Sequence, residues 1–184
     1  YDGRGEENPT SNFQWEFVLV DDDQTKNAWC MPGGKIAFYS GILPIAKNKN
    51  GIGSIMGHEI AHAVARHSAE RASTAMLADL GTMALEQLVL GQRLPKAAGY
   101  VRQFGLNLPF NRRQESEADY LGLIFMSLAG YDVNESYKIW ERMKEDSGSG
   151  PAEFFSTHPS PDNRIKKLKE WIPLVNAQYP AIKV

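Results

Sequence analysis

A His-Glu-Ile-Ala-His segment at residues 58–62 constrains the fold of this chain more than any other feature of its sequence. In an α-helix, residues four positions apart lie one turn apart and about 40° around the axis. The imidazoles of His58 and His62 would then face the same space and could bind one metal ion. Glu59 would point about 100° away from His58, too far for a third ligand but within reach of a metal-bound water. This is the geometry of a zinc hydrolase.

The residues around this segment predict that it lies inside a helix. Asn50 can cap the helix N-terminus, and apolar residues follow at helical spacing. These apolar residues are Ile52, Ile55, Met56, Ile60, Ala61 and Val64. We expect the helix to extend over about residues 51–72. The alternative is a surface helix that carries two histidines by coincidence. It is disfavoured because two of only four histidines in the chain fall in this segment.

A catalytic zinc ion needs a third protein ligand and an open fourth position. The metzincin pattern would place that ligand six residues after His62, but the residue there is Ser68. His67 is one position away from that site and would be turned from the metal, so we interpret it as a solvated helix residue. The remaining source is a carboxylate from a second helix, which the sequence predicts over about residues 112–129.

Glu115 is the predicted third ligand because of the helix face that it occupies. It shares this face with Ala118, Asp119 and Gly122, and the two small residues would let the helix approach the histidine helix closely. Asp119, one turn after Glu115, could accept a hydrogen bond from a metal-bound imidazole. Glu117 lies about 200° around the axis from Glu115 and is interpreted as a solvated charge.

Five sequence blocks in this order resemble the M48 family of gluzincin metallopeptidases. The blocks are residues 27–36, 40–43, 58–62, 113–119 and 158–165. The resemblance is to the branch that includes mitochondrial inner-membrane proteases and bacterial envelope proteases. It implies one catalytic domain over residues 1–184. It also implies an α+β, zincin-like fold that is mostly helical, with a small β-sheet whose edge strand borders the active-site cleft.

The resemblance also implies roles for individual residues. One Zn²⁺ per chain would be bound by His58, His62 and Glu115. Glu59 would be the general base, and Asp119 would support a metal-bound histidine.

His158 is a further catalytic candidate, and the resemblance implies that it lies near the metal. It precedes Pro159, which favours an extended backbone, and Ser160 with Pro161 is typical of a helix start. The ring would either donate to the oxyanion of the tetrahedral intermediate or occupy the open zinc position in a resting state. A histidine that only caps or packs at a turn is the alternative.

Two strands are predicted between residues 13 and 40. The first alternates from Phe13 to Leu19 with one aromatic face, and the second covers residues 35–39 after a Pro-Gly-Gly sequence. The resemblance implies that this second strand is an edge strand beside the zinc, where an extended peptide pairs with it. An ordinary tight turn at the two glycines is an equally good interpretation. The predicted substrate-binding residues are Gly34, Ile36, Ala37, Phe38 and Arg164.

The rest of the chain predicts helices and two loops. Helices are expected over about residues 133–146 and 161–178. Glycines and a proline within residues 91–105 predict a break, and we interpret this middle segment as a partly mobile cover over the cleft. The Ser-Gly-Ser-Gly sequence at residues 147–150 predicts a flexible link toward His158.

Composition excludes some partners and leaves others open. A net charge of -2 without a basic stripe argues against nucleic acid as a partner. The single cysteine, Cys30, cannot form an intramolecular disulfide. The sequence begins without methionine or a signal sequence, so we expect a processed or trimmed chain, with possible membrane association through a segment outside it. The resemblance implies the bacterial periplasm or cell envelope.

Three functions fit these observations. The leading one is a zinc endopeptidase that hydrolyses extended segments of unfolded, damaged or membrane-associated proteins in bacterial envelope quality control. The second is a latent, zinc-bound peptide-binding or chaperone-like module whose cleft is blocked. The third is a structural zinc domain with four protein ligands. Glu59 favours the enzyme, because a purely structural site has no use for a base at this position.

Overall fold

The computed structural model describes residues 8–85, 108–146, 158 and 161–182. A three-stranded sheet comes first, formed by β1 (Glu16–Val20), β2 (Ala28–Met31) and β3 (Lys35–Tyr39). A 3-10 turn at Ser40–Ile42 leads into the helical part of the chain. The helices described are α1 (Leu43–Ala46), α2 (Lys49–Val64), α3 (His67–Leu85), α4 (Leu108–Leu128), α5 (Glu135–Asp146) and α6 (Pro161–Gln178). The predicted α+β, zincin-like and mainly helical fold class is confirmed.

β3 is the central strand of the sheet. β1 pairs with it in parallel, with Glu16 opposite Lys35, and β2 pairs with it antiparallel, with Cys30 opposite Ile36. The prediction that residues 35–39 form an edge strand is therefore wrong, because β3 is hydrogen-bonded on both sides. The edges are β1 and β2, and β2 is the one that packs beside α2.

The two glycines before β3 form the turn that joins it to β2. Gly33 and Gly34 both have a φ of 92°, a conformation that favours glycine. A Cβ atom on Gly34 would lie 3.1 Å from the ring of Trp15 and 3.2 Å from Phe13. The tight-turn interpretation of this sequence therefore describes the structure.

α2 and α4 cross in direct backbone contact. A Cβ atom on Gly57 would lie 3.1 Å from the carbonyl oxygen of Gly122, and one on Gly122 would lie 3.1 Å from the amide nitrogen of His58. Backbone atoms cannot move aside for a methyl group, so the two glycines permit this approach. The close contact expected from the small residues of α4 is present, and it brings the α4 carboxylates to the α2 histidines.

α2 ends at Val64, well before the predicted end near residue 72. Arg66 has a φ of 57°, in the left-handed region, which interrupts the helical hydrogen bonds, and α3 begins at the next residue. The side chain of Asn48 caps the N-terminus of α2 by accepting from the amides of Asn50 and Gly51. The cap is therefore Asn48 rather than the predicted Asn50.

The core lies between the sheet and the helices α2, α4, α5 and α6. Its most buried large side chains are Ile36, Ile42, Leu123, Met126, Met143 and Leu168. Within the ranges given above, none of the helices combines the length and hydropathy that a transmembrane segment needs. The predicted cover at residues 91–105 and the predicted link at residues 147–150 lie outside the described residues.

Candidate active site

All four histidines of the chain belong to one buried cluster. His58 and His62 come from adjacent turns of α2, and Glu115 and Asp119 face them from α4. His158 reaches the same cluster from a position 100 residues after His58. Each of these residues is at most 7% exposed. The close α2–α4 crossing, together with the single helical turn between paired residues, explains why these groups meet.

Three of the side chains present donor atoms at the spacing of a small cation site. His58 Nε2 and His62 Nε2 are 3.1 Å apart, and Glu115 carboxylate oxygens lie 3.2 Å from His62 Nε2 and 3.4 Å from His58 Nε2. Ligands at the corners of a tetrahedron with bonds of about 2.0 Å are separated by about 3.3 Å. The chemistry and the spacing of this donor set therefore fit a metal ion such as zinc.

His158 adds a fourth candidate donor to this set. Its Nδ1 lies 2.8 Å from Glu115 Oε2 and 3.3 Å from His58 Nε2. One donor atom from each of His58, His62, Glu115 and His158 lies within 4.8 Å of all the others. The predicted position of His158 beside the ligand cluster is thus observed, and the geometry allows it to be either a ligand or a neighbour of the reacting groups.

Glu59 lies beside the cluster with one oxygen unsatisfied. The residue is 5% exposed, and its Oε1 has no hydrogen-bond partner among the described residues. Burial, the largest effect, raises the pKa of the Glu59 carboxyl, and the charges of His158 and His58 offset only part of that effect. Buried carboxylate oxygens are nearly always hydrogen-bonded, so this oxygen is an acceptor that a donor such as a water molecule would satisfy.

Arg164 connects the carboxylates of the site. Its Nε donates to Asp119 Oδ2 at 2.7 Å, and its Nη1 donates to Glu115 Oε2 at 2.9 Å. Asp119 Oδ1 in turn lies 3.1 Å from His58 Nδ1, where it can orient this ring. The guanidinium group stacks 3.7 Å from the centre of the Trp140 ring. Arg164 is thus 5% exposed and paired within the site.

The predicted substrate-binding residues lie in two parts of the structure, α6 and residues 34–38, and their substrate roles stay predictions. Arg164 donates to two carboxylates of the site, Asp119 and Glu115. The backbone of β3 has no free edge, and the side chains of Ile36, Ala37 and Phe38 are buried. Gly34 belongs to the turn before β3. A peptide therefore cannot pair with the strand that the sequence suggested.

Burial and hydrogen bonding shift the pKa values of the site residues in different directions. Burial, the largest effect, and the Arg164 charge lower the pKa of His58, but hydrogen bonds to Asp119 and Glu115 raise this pKa to about 9. Burial lowers the pKa of His62 to about 3. Burial raises the pKa of Glu115, but hydrogen bonds with three histidines outweigh it and the net pKa falls. The pKa of His58 therefore lies above that of His62, and a metal ion bound by the His58 ring would displace any proton there.

His67 is a member of the site that sequence reasoning missed. Its interpretation as a solvated residue is wrong, because it is 1% exposed and its Nδ1 lies 2.8 Å from His62 Nδ1. The left-handed backbone at Arg66 turns the start of α3 back toward the end of α2. In an uninterrupted helix the two rings would point in different directions. The sequence signal that could have indicated this position was the scarcity of histidine, since the chain has only four.

Replacing Arg164 with lysine is expected to destabilise the protein by about 1.5–3 kcal/mol. A lysine ammonium group cannot reproduce the planar fork that bonds Asp119 and Glu115 together, nor the stacking on Trp140. The free energy of unfolding from urea titration measures this loss. Arg113→Lys is the control, since Arg113 is exposed on the same helix as Glu115. Equal stabilities for the two variants would contradict the positioning role of Arg164.

Comparison with known proteins places these residues in a family context. A sequence model described as Peptidase family M48 matches residues 6–172. The mitochondrial metalloendopeptidase OMA1 of Schizosaccharomyces pombe is 43% identical over 166 residues, covering 89% of this chain and 48% of that protein. OMA1 of Saccharomyces cerevisiae is 37% identical, covering 90% of this chain and 49% of that protein. A putative beta-barrel assembly-enhancing protease of Vibrio cholerae is 30% identical, covering 91% of this chain and 36% of that protein.

These matches correct the predicted location, and they show how much of the relatives this chain covers. The chain spans about half the length of the two fungal relatives. The prediction of a bacterial periplasmic or envelope location is wrong, because the better-matching relatives from fungi, a plant and mammals are named as mitochondrial proteins. The bacterial relatives match at lower identity.

Proposed function

The chain belongs to peptidase family M48, and we propose that it is a zinc-dependent endopeptidase. One observation carries the proposal: the donor atoms of His58, His62 and Glu115 lie 3.1 to 3.4 Å apart beside a buried, unsatisfied oxygen of Glu59. The first three side chains would hold the ion. The oxygen of Glu59 lacks the donor that a nucleophilic water would provide.

The catalytic roles follow from the chemistry of these groups. A bound zinc ion would supply a water of lowered pKa and polarise the scissile carbonyl. Glu59 would accept the proton of the attacking water at its carboxylate and return it to the leaving amine. Asp119 would hold His58 in its ligating orientation through Nδ1, and Arg164 would hold Asp119 and Glu115 in place.

His158 has two roles that agree with its position. Its Nε2 lies 3.4 Å from Glu59 Oε1, where it could donate to a developing oxyanion. Its Nδ1 lies 2.8 Å from Glu115 Oε2, within the donor cluster. The first role belongs to the active enzyme, and the second belongs to a resting state in which His158 fills the open ligand position.

We propose that the substrate is an extended segment of an unfolded or damaged polypeptide, and that β2 is the strand that pairs with it. β2 is an edge strand beside α2. Burial, and then the nearby Glu59 charge, raise the pKa of its Cys30 to about 11, which indicates that this strand borders the general base. The names of the fungal relatives support a mitochondrial setting.

Metal content and casein cleavage by the purified chain test this function. We expect one zinc per chain by atomic absorption and cleavage of casein, which lacks stable structure. Treatment with 1,10-phenanthroline should abolish cleavage, and added Zn²⁺ should restore it. Its isomer 1,7-phenanthroline, which does not chelate metal ions, is the control. If the protein is shown to be free of metal and still cleaves casein at the full rate, the proposal is refuted.

A latent peptide-binding module is the second candidate, and the contact of His158 with the donor cluster favours it. Such a module would bind zinc and peptide without turnover because four protein groups surround the ion. Replacing His158 with alanine separates the two candidates. Cleavage that appears only in His158→Ala would support latency, whereas cleavage by the wild type that falls in this variant would support the oxyanion role.

A further inference from the structure

The contact between His62 and His67 is the feature of the site that the proposed mechanism leaves unused. His67 is the most buried histidine of the chain, and its Nδ1 lies 2.8 Å from His62 Nδ1. The contact depends on the break between α2 and α3, where Arg66 takes a left-handed φ of 57°. An arginine in this conformation is uncommon, so the surrounding structure must stabilise the break.

If His62 binds a metal ion, only one of the two rings can donate the hydrogen bond between them. His62 Nε2 faces His58 Nε2 at 3.1 Å and Glu115 Oε1 at 3.2 Å, so this is the ligating nitrogen. A neutral ligating imidazole carries its proton on the other nitrogen. His62 Nδ1 therefore donates to His67 Nδ1, and His67 must carry its own proton on Nε2.

The outer nitrogen of His67 points toward a carboxylate. His67 Nε2 is buried without a hydrogen-bond partner among the described residues, and it lies 3.5 Å from Glu117 Oε2. The side chain of Glu117 is 51% exposed. A protonated Nε2 and this carboxylate attract each other, so Glu117 favours the tautomer that leaves Nδ1 free to accept from His62.

A separate set of contacts fixes the position of His67. The amide of Gln114, which is 2% exposed, donates to the carbonyl oxygen of His67 at 3.4 Å and to Glu70 Oε2 at 2.9 Å. Gln114 also accepts from Arg71. Gln114 precedes Glu115 in α4, so the residue beside one candidate ligand holds the start of α3 in place.

We propose that His67 is a positioning residue that orients His62 toward the metal ion, as Asp119 does for His58. The two ligating histidines are thus supported by different groups: a carboxylate 3.1 Å from His58 Nδ1, and an imidazole 2.8 Å from His62 Nδ1. Because it concerns the zinc site, this inference rests on the proposed function. The partner of a metal-bound histidine is commonly worth a factor of 10 to 100 in metal affinity.

Three substitutions of His67 separate hydrogen bonding from packing. In His67→Asn, the amide oxygen can occupy the place of Nδ1 and accept from His62. His67→Gln carries the same amide one methylene further from the backbone, and His67→Leu fills the space without an acceptor. The zinc Kd of each purified variant is measured by competition with a chromophoric chelator. The visible absorption of the cobalt-substituted protein reports the ligand geometry, and thermal unfolding monitors the fold.

The expected result is a zinc Kd raised about 10–100-fold in His67→Gln and His67→Leu, with a changed cobalt spectrum in both. His67→Asn should stay close to the wild type in both measurements. Equal losses in all three variants would show that only packing matters and would overturn the inference, as would unchanged affinity in all three.

If His67→Leu fails to fold, the comparison of His67→Asn with His67→Gln still decides. Zinc binding by the wild type keeps the proposed function intact in either case, whereas a wild type that binds no zinc overturns both.

Discussion

Replacing Glu59 with glutamine is expected to lower kcat/KM for casein cleavage by about 10²–10⁴-fold while one zinc per chain remains bound. Glutamine has nearly the same shape but cannot accept the proton of the attacking water. Glu59 is not among the groups whose donor atoms converge on the metal site, so zinc content should not change. Single-turnover cleavage and atomic absorption on the same preparation measure both quantities.

Two controls make the Glu59 result specific. Glu141→Gln removes a carboxylate that forms an ion pair with Lys169 away from the site, and it should leave activity and zinc content unchanged. Thermal unfolding of Glu59→Gln should show no loss of stability. Burial makes the charged form of Glu59 unfavourable in the folded protein, and glutamine carries no charge. Cleavage by Glu59→Gln at the wild-type rate would exclude this residue as the base.

Replacing Glu115 with alanine is expected to weaken zinc binding by about 10²–10³-fold, because one of the three proposed protein ligands is lost. The carboxylate also accepts from Arg164 at 2.9 Å and contacts His158 at 2.8 Å. Its removal therefore takes an acceptor away from the buried guanidinium of Arg164 and a contact away from His158, and the free energy of unfolding should fall by about 3–5 kcal/mol. Chelator competition measures the affinity, and urea titration measures the stability.

Glu115→Gln separates the two effects. The amide oxygen can still accept from Arg164, so the stability should recover in part, but the neutral side chain is a poor zinc ligand and the affinity should stay low. Glu141→Gln is again the control, since Glu141 pairs with Lys169 away from the site and lies outside the donor set. Tight zinc binding by Glu115→Ala would show that His158 or another group is the third ligand.

Helical spacing explains why much of the site could be anticipated from the sequence. The separation of His58 from His62, and that of Glu115 from Asp119, correspond to one turn of helix, and local periodicity determines which side chains share a face. Small residues on the Glu115 face predicted the close approach of α4, which Gly57 and Gly122 make possible. These inferences need no knowledge of long-range contacts.

Strand order and the helix break could not be anticipated in the same way. The alternation of a strand identifies its faces but not its neighbours, so nothing in residues 35–39 showed that β3 lies between β1 and β2. The break after α2 contains no glycine or proline, and Arg66 shows no sign of its left-handed backbone. The role of Arg164 also depended on tertiary contacts, because its partners are 45 and 49 residues away along the chain.

The left-handed conformation of Arg66 has a consequence for how this protein could be stabilised. An L-residue with a Cβ atom loses roughly 1–2 kcal/mol in that region, and glycine or asparagine would lose less. Straightening the helix would relieve the same strain, but it would separate His67 from His62. A search for thermostable variants should therefore accept glycine at position 66 and reject helix-forming replacements there, since those would gain stability by removing the proposed support of His62.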